Sequence, residues 1–330
     1  MTGFIDVHAH FLTDAYVAQA RAAGHDAPDG MPAWPEWSAG AHLELMDRVG
    51  IDSAVLSISS PGVHFGDDGA ARALAREVNE AGASLVRDHA GRFGLFASLP
   101  LPDIEGALSE IGYAFDVLGA AGVIVQTNIH GSYLGDDLFE PVFAELARRR
   151  ATVLVHPTSP IAWKQTALGR PRPMLEFIFD AARAVIDLIL SGTLERHPEL
   201  EIIVPHVGGA LPVLADRVDA FWAASGPERE LVEAGAVAQL RRLHYDLAGT
   251  PFPRHVPALL GLVDPDRLLY GSDYCFTPAS AVQAQVASID AARVPVEGES
   301  WQSLTTRNAL PLVGAGVTGA TGRAEGPPSG

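Results

Sequence analysis

The sequence predicts an α/β protein with a (β/α)8 TIM-barrel fold. Eight short apolar segments recur along the 330 residues, helical patterns separate them, and no glycine-rich phosphate loop follows the first segment. The missing loop makes a doubly wound open sheet the second choice. With 48% hydrophobic residues, the chain can bury a large core, as one domain or as two.

The predicted strands are short runs, several of them rich in Val, Ile and Leu, as strands buried on both faces should be. In order they are residues 4–10, 53–59, 94–100, 122–128, 152–157, 201–206, 243–249 and 267–273. Between them, apolar residues recur at helical spacing, and several of these stretches end near a glycine. These predicted helices are residues 41–50, 70–89, 106–122, 141–150 and 173–192.

Two segments do not fit the repeat. Residues 22–39 form a loop rich in Pro, Gly and Trp after the first strand, where barrel loops cover the catalytic face, so this loop is either a lid or an ordinary surface loop. Residues 314–330 are small, polar and rich in Gly and Pro, and we expect a flexible tail there. The predicted barrel therefore spans residues 1–313.

Composition narrows the function classes. A net charge of -17 disfavours nucleic acid, which needs a basic surface, although a local pocket can still bind a small anion. Cys275 is the only cysteine, so no intrachain disulfide is possible. The N-terminus lacks a signal-peptide pattern, and no run of about eighteen apolar residues predicts a membrane span. We therefore expect a cytoplasmic protein without a membrane partner.

Five polar residues mark the carboxyl ends of four predicted strands. His8 and His10 end the first strand, where i and i+2 side chains point the same way. His156 ends strand five, His206 ends strand six, and Asp273 ends strand eight. Buried imidazoles and a carboxylate are costly unless they pair or bind metal, and barrel active sites lie at this end of the strands. The pattern therefore predicts a metal site.

These motifs resemble the amidohydrolase superfamily, through D-x-H-x-H on strand one, histidines on strands five and six, and aspartate on strand eight. The stretches HVGGALPVLADR, YGSDY and RNALPLV look like the aminocarboxymuconate-semialdehyde decarboxylase branch, which includes γ-resorcylate and 5-carboxyvanillate decarboxylases. Within that branch, SLPLPD, YLGDDLFEPVF, LVHPTSP and DLILSGTLERHP are similar to 6-methylsalicylate decarboxylases.

The resemblance implies a mononuclear site. Strand four has no lysine, and the only lysine, Lys164, follows strand five in a loop, which excludes a site bridged by a carboxylated lysine. The branch implies one divalent ion held by His8, His10, His156 and Asp273. Three nitrogens and one oxygen favour Zn²⁺, with Mn²⁺ as the alternative when the substrate contributes oxygens. No motif indicates an organic cofactor.

The resemblance also implies roles for three residues. His206 would orient or deprotonate the water at the metal, unless it is only a structural histidine. Asp273 would be both a ligand and a proton donor. Arg217 would contact the substrate carboxylate, in dimeric members from the neighbouring subunit, and this role implies a homodimer. The alternative is a surface arginine on a helix.

The leading prediction is a metal-dependent, non-oxidative decarboxylase of a small aromatic or enol-type carboxylic acid, such as 6-methylsalicylate or another hydroxybenzoate-like acid. The alternative is a hydrolase of an ester, lactone or amide, because the same fold and metal site serve both reactions. The branch-like HVGGALPVLADR stretch and the lysine-free strand four favour the decarboxylase. A metal barrel without catalysis is disfavoured because the ligand set is intact.

Overall fold

The computed structural model describes residues 3–224 and 232–317 of the chain. Eight parallel strands form its main sheet, and their order in the sheet is their order in the chain. They are Phe4–His10 (β1), Ile51–Ser57 (β2), Phe93–Ser98 (β3), Gly122–Gln126 (β4), Thr152–His156 (β5), Glu201–Val204 (β6), His244–Asp246 (β7) and Leu268–Leu269 (β8). Each predicted strand overlaps one of them, which confirms the predicted fold.

The sheet closes on itself between its first and last strands. Asp6 pairs with Tyr270 and Ala9 pairs with Tyr274 in parallel bridges. The Val7 N–H donates to the Tyr270 carbonyl at 3.0 Å. Closure brings the carboxyl ends of all eight strands to one rim, where side chains far apart in the sequence can meet.

The barrel interior is filled by apolar side chains from the strands, and the helix Trp301–Val317 (α13) covers one end. The strands contribute Ile5, Val7, Val55, Phe96, Ile124, Leu154, Ile203 and Leu269 to this interior cluster. A second, larger core lies between the strands and the surrounding helices. Burial on both faces explains why the strands are continuous apolar runs rather than alternating ones.

The helices surround the barrel, and within the described residues none is long and apolar enough to cross a membrane. Their bounds are Asp14–Ala22 (α1), Ala39–Val49 (α2), Asp68–Asp88 (α3), Ile104–Tyr113 (α4), Glu140–Arg148 (α5), Trp163–Thr166 (α6), Glu176–Leu190 (α7), Thr193–Arg196 (α8), Leu211–Ala223 (α9), Ala236–Arg242 (α10), Val256–Leu259 (α11), Ala279–Asp290 (α12) and Trp301–Val317 (α13). A short antiparallel pair, Asn128–Ile129 with Ser132–Tyr133, follows β4.

Two predicted helices differ from the observed ones for local reasons. The segment predicted at 106–122 is α4 followed by a π-helical turn, and it stops at Gly119, whose φ is 69°. The segment predicted at 173–192 becomes α-helical only at Glu176, because Pro171 and Pro173 restrict the backbone before it.

The predicted end of the barrel at residue 313 falls inside α13. Val313 and Val317 are buried and pack into the cluster that fills the barrel interior. Residues 314–317 therefore continue the helix instead of beginning the tail. The rest of the predicted tail, residues 318–330, lies outside the described residues.

Candidate metal centre

Four of the predicted site residues meet at the rim of the barrel. His8 and His10 end β1, His156 ends β5, and Asp273 follows β8. Each offers one ligand atom, and these atoms all lie within 4.8 Å of one another. A bulge in β1 helps to aim the two histidines, because β1 advances from Asp6 to Ala9 while β2 advances only two residues.

The hydrogen bonds of the three histidines fix which ring nitrogen can bind a metal. In each ring Nδ1 has a neighbouring oxygen, so we assign the N–H to Nδ1 and the lone pair to Nε2. The acceptors are Asp246 Oδ2 for His8 at 2.8 Å, Ser57 Oγ for His10 at 3.0 Å, and the Pro157 carbonyl for His156 at 2.8 Å. The Nε2 atoms of His8 and His10 are therefore free to act as ligands, and within the described residues the lone pair of His156 Nε2 has only the Ser59 hydroxyl as a hydrogen-bond partner, at 3.3 Å.

The Nε2 atoms of His8 and His10 fit a metal ion better than they fit any protein group. Both are buried and have no hydrogen-bond partner among the described residues. They lie 3.6 Å and 3.2 Å from Asp273 Oδ1. Buried nitrogen lone pairs that converge with a carboxylate oxygen form a donor set that a divalent cation satisfies. The four side chains can therefore hold one metal ion.

The electrostatics of the protein groups also favour a cation here. Burial opposes protonation of His8, but the carboxylates of Asp246 and Asp273 outweigh it and raise its pKa to about 9. Burial lowers the pKa of His156 well below its usual value, which keeps that ring neutral as a ligand requires. Burial works against ionisation of Asp273, yet the imidazole rings of His10 and His206 beside it hold its pKa well below the usual range.

His206 lies beside the four ligands and touches the second oxygen of Asp273. Its Nε2 is 3.4 Å from Asp273 Oδ2, to which the Thr277 hydroxyl also donates at 3.3 Å. Its backbone N–H donates to Asp246 Oδ1 at 2.9 Å. Oδ1 of Asp273 therefore faces His8 and His10, and Oδ2 of Asp273 faces His206. This division of its two oxygens allows Asp273 to bind a cation and exchange a proton in the same site.

Two supporting residues were harder to identify from the sequence. Asp246 ends β7 as the other site residues end their strands, but only the structure shows it holding both His8 and His206. Ser57 carries no such signal, because a serine that ends a strand is common. Asp6, close to the histidines in sequence, accepts N–H bonds from His8 and Ser272 and ties β1 to the last strand segment.

A cavity of about 830 Å³ opens over the ends of β2 to β5, at the rim where the metal ligands lie, although none of those ligands lines it. Part of the loop 22–39 lines it, from Ala23 to Asp29, so that loop forms a wall over the catalytic face. His64, Phe65, His130 and Trp163, which follow strands in the sequence, also line it. Gln126 pairs in register with His156, and its buried Oε1 has no partner among the described residues. Because it opens at the same rim of the barrel, the cavity is the candidate place for an organic substrate.

Arg217 is not brought to this site within one chain. It is exposed on α9, with its guanidinium carbon 4.7 Å from the centre of the Phe221 ring. It does not line the cavity. A single chain therefore assembles the metal ligands and His206 without this arginine.

Comparison with known proteins places the chain in a family. The amidohydrolase family model matches residues 5–301. A decarboxylase of Aspergillus niger is 35% identical over 323 residues, which cover 92% of this chain and 85% of the relative. A 6-methylsalicylic acid decarboxylase of Aspergillus aculeatus is also 35% identical over 323 residues, covering 93% of this chain and 95% of the relative.

Solved structures share the fold. A crystal structure described as an amidohydrolase II superposes with a TM-score of 0.87 at 32% identity and covers 94% of this chain and 99% of the other. A 5-carboxyvanillate decarboxylase from Novosphingobium aromaticivorans, in complex with manganese and a nitrobenzoic acid, has a TM-score of 0.85 at 22% identity, covering 94% and 96%. With a family match along nearly the whole barrel and relatives at 35% identity, the chain belongs to the amidohydrolase family, in the group that includes the fungal decarboxylases.

Proposed function

We propose that the protein is a metal-dependent, non-oxidative decarboxylase of a small aromatic carboxylic acid of the hydroxybenzoate type. The metal ligands alone serve a hydrolase equally well. What carries the proposal is the 35% identity, along almost the whole chain, to a 6-methylsalicylic acid decarboxylase. Two observations support it: the four residues that the resemblance assigns to the metal lie within reach of one ion, and a cavity of about 830 Å³ opens at the same rim of the barrel.

The cofactor we infer is one divalent ion on His8, His10, His156 and Asp273. Three imidazole nitrogens and one carboxylate oxygen favour Zn²⁺. Mn²⁺ competes with it, because a fold neighbour carries manganese and a hydroxy acid can add oxygen ligands. Metal analysis of the purified protein, with activity measured after reloading each ion, decides between them.

Asp273 and His206 carry out the proton transfer in this proposal. When bound, the divalent ion supplies positive charge that holds the oxygens of the acid. Asp273 is ionised at rest, so it must first take a proton, and His206 Nε2, at 3.4 Å from Oδ2, is placed to deliver it. Asp273 then protonates the ring carbon that bears the carboxylate. The bond to the carboxylate breaks, its electron pair restores the aromatic ring, and CO₂ leaves.

A homodimer would complete the site. Arg217 lies on α9 between two large exposed apolar side chains, Val213 at 78% exposure and Phe221 at 64%. Positions 213, 217 and 221 share one face of the helix, because they are four residues apart. An exposed apolar face that carries an arginine fits a contact with a second copy, in which Arg217 reaches the substrate carboxylate of the other subunit.

The reaction class is tested by product mass spectrometry on metal-loaded protein. The panel contains hydroxybenzoates, 6-methylsalicylate among them, together with aryl esters, lactones and amides. We expect loss of CO₂ from at least one acid and no hydrolysis. Addition of water to an ester, lactone or amide, without decarboxylation of any acid, would make the protein a hydrolase and contradict the proposal.

A further inference from the structure

The cavity has a positively charged end that the metal site does not use. Arg172 and Lys164, the only lysine of the chain, both line the cavity beside Trp163. The guanidinium carbon of Arg172 lies 4.1 Å from the centre of the Trp163 ring, and Lys164 Nζ lies 5.8 Å from it. In a protein with a net charge of -17, two cations at one end of a cavity create a local site for an anion.

Residues of two loop segments hold Arg172 in place. Its Nε donates to the Ser159 hydroxyl at 2.8 Å, and that hydroxyl donates in turn to the Asp29 carboxylate. Gly30 leaves room for the guanidinium, because a Cβ at this position would lie 2.6 Å from Arg172 Nη1. A side chain that is stacked, hydrogen-bonded and given space in this way has little freedom left to lose when it binds a ligand.

The guanidinium nevertheless lacks an acidic partner. Within the described parts of the chain, no carboxylate oxygen lies within 4.0 Å of the nitrogens of Arg172, and only Nε makes a side-chain hydrogen bond. Arg76 and Arg149, in contrast, pair with acids at 2.8 Å and 2.7 Å. Asp29 also lines the cavity, but it is joined to Arg172 only through the Ser159 hydroxyl, so among the described residues the Nη1 and Nη2 groups still lack a direct acidic partner that an anionic ligand would supply.

The position of Arg172 determines which part of a substrate it can reach. The proton-transfer residues Asp273 and His206 follow β8 and β6, so the reacting carbon must lie at the metal ligands. Arg172 is reached through the cavity over β2 to β5 and contacts Ser159, three residues beyond His156. Arg172 lines the cavity and none of the four metal ligands does, so a ring held at the metal would present to Arg172 the end remote from the reacting carboxylate.

We propose that Arg172 binds a second negatively charged oxygen group of the aromatic acid, a carboxylate or an ionised hydroxyl, remote from the carboxylate that leaves. This inference rests on the proposed decarboxylase function and extends it to substrate selection. Arg172 is a specificity residue: it binds the remote group through the N–H groups of Nη1 and Nη2, and Lys164 adds positive charge nearby. Acids with a charged remote group bind more tightly than acids with a hydrocarbon group there.

The test compares ligands that differ only in the second charge. Benzoate, isophthalate and terephthalate are titrated by calorimetry into metal-loaded wild-type protein and into Arg172→Gln. We expect wild-type protein to bind at least one dicarboxylate about 10-fold to 100-fold more tightly than benzoate. In Arg172→Gln that preference disappears, while the affinity for benzoate changes by less than about threefold.

Two further variants guard the interpretation. Arg170→Gln removes an exposed arginine that does not line the cavity, and it should keep the wild-type preference. Arg172→Lys keeps the charge but loses the planar guanidinium, and it should retain only part of the preference for dicarboxylates. This variant also provides the test if Arg172→Gln does not fold. Equal weakening of benzoate and the dicarboxylates in Arg172→Gln would overturn the proposal, as would wild-type protein that binds no dicarboxylate more tightly than benzoate.

The outcome separates this inference from the proposed function. If acids lose CO₂ but no preference for dicarboxylates exists, the role of Arg172 is wrong and the decarboxylase stands. If the preference depends on Arg172 but no acid loses CO₂, the anion site stands and the decarboxylase is wrong.

Discussion

At the scale of single residues, Asp246 shows how one buried carboxylate organises the site. Its Oδ2 accepts from His8 Nδ1 at 2.8 Å, and its Oδ1 accepts from the backbone N–H groups of His206 and Ala248 at 2.9 Å and 3.0 Å. It therefore sets the tautomer of one candidate metal ligand and positions the histidine that we propose delivers the proton. Carboxylates behind ligating histidines raise the basicity of the ring and orient it.

Replacing Asp246 with Asn keeps the size of the side chain but removes the charge behind His8. We expect metal affinity to fall about 10-fold to 100-fold, because an amide supports the imidazole less well. Titration with a competing chelator measures this change, and Asp264→Asn, at an exposed aspartate, is the control. Unchanged metal affinity in Asp246→Asn would show that the contact does not support the ligand.

Replacing Asp273 with Asn removes both a metal ligand and the proposed proton donor. We expect kcat to fall by about 10³-fold or more, in the decarboxylase and in the hydrolase alike. Metal content must be measured in the same sample, because a loss of metal alone would also lower the rate. Near-normal turnover by metal-replete Asp273→Asn protein would refute the proton-transfer role.

At the scale of elements, the strands end where the site begins. The segments predicted as strands at 201–206 and 267–273 are only four and two residues long in the structure. His206, Val207 and Asp273 have φ values of 52°, 57° and 57°, in the left-handed region that non-glycine residues rarely adopt. A residue with such a φ value turns its side chain out of the regular alternation of a strand, at a cost of about 1–3 kcal/mol per residue. Residues of this kind cluster at functional sites.

The start of α4 offers a stability test. Asp103 accepts from the Gly106 N–H at 3.1 Å as the helix cap, and it pairs with Arg72, whose Nη2 donates to Oδ1 at 2.9 Å. We expect Asp103→Ala to lower the free energy of unfolding by about 1–2 kcal/mol in denaturant titrations. Asp67→Ala, which removes a cap of α3 without an arginine partner, should cost less.

The same pair predicts a pH dependence. The hydrogen bond from Arg72 lowers the pKa of Asp103 below its usual value of 3.8. The ionised pair therefore stabilises the fold above pH 3.8, and the stabilisation is lost as the pH falls through the lowered value. We expect the stability difference between wild-type protein and Asp103→Ala to shrink below pH 3.8. A difference that grows in acid would contradict this assignment.

At the scale of the whole molecule, the open question is the second subunit. A glutamate in place of Val213, on the exposed face of α9, should convert the proposed dimer to monomer, as measured by sedimentation velocity. The matched control is Val117→Glu, at a valine of similar exposure in the turn after α4. Wild-type protein that is monomeric and fully active would refute the dimer.

Mixing two inactive variants tests whether Arg217 acts across the interface. If Asp273→Asn and Arg217→Gln subunits exchange freely, half of the dimers are mixed, and each mixed dimer has one intact site. We therefore expect about a quarter of wild-type activity from the mixture. No recovery, with mixed dimers demonstrated by mass spectrometry, would show that Arg217 does not complete the partner's site.

The sequence by itself determined the eight strands, the barrel and the candidate metal ligands, because these depend on local rules. Apolar runs report burial on both faces, and a polar residue at the end of such a run reports the rim of the barrel. His8, His10, His156 and Asp273 all follow these rules, and the structure places them together. The predicted end of the barrel at residue 313 was wrong because the small residues at the end of α13 resemble a linker in sequence. Their contacts with the barrel interior are visible only in the structure.

Only the tertiary structure decided which side chains support the site and shape the cavity. Asp246 meets His8 across the sequence through barrel closure, and Ser159 links Arg172 to Asp29, which belongs to the loop after a different strand. Arg217, in turn, is exposed on α9 and does not line the cavity of its own chain. These contacts depend on irregular loop backbones and on strand order in three dimensions, and no local period in the sequence encodes the distance between two such loops.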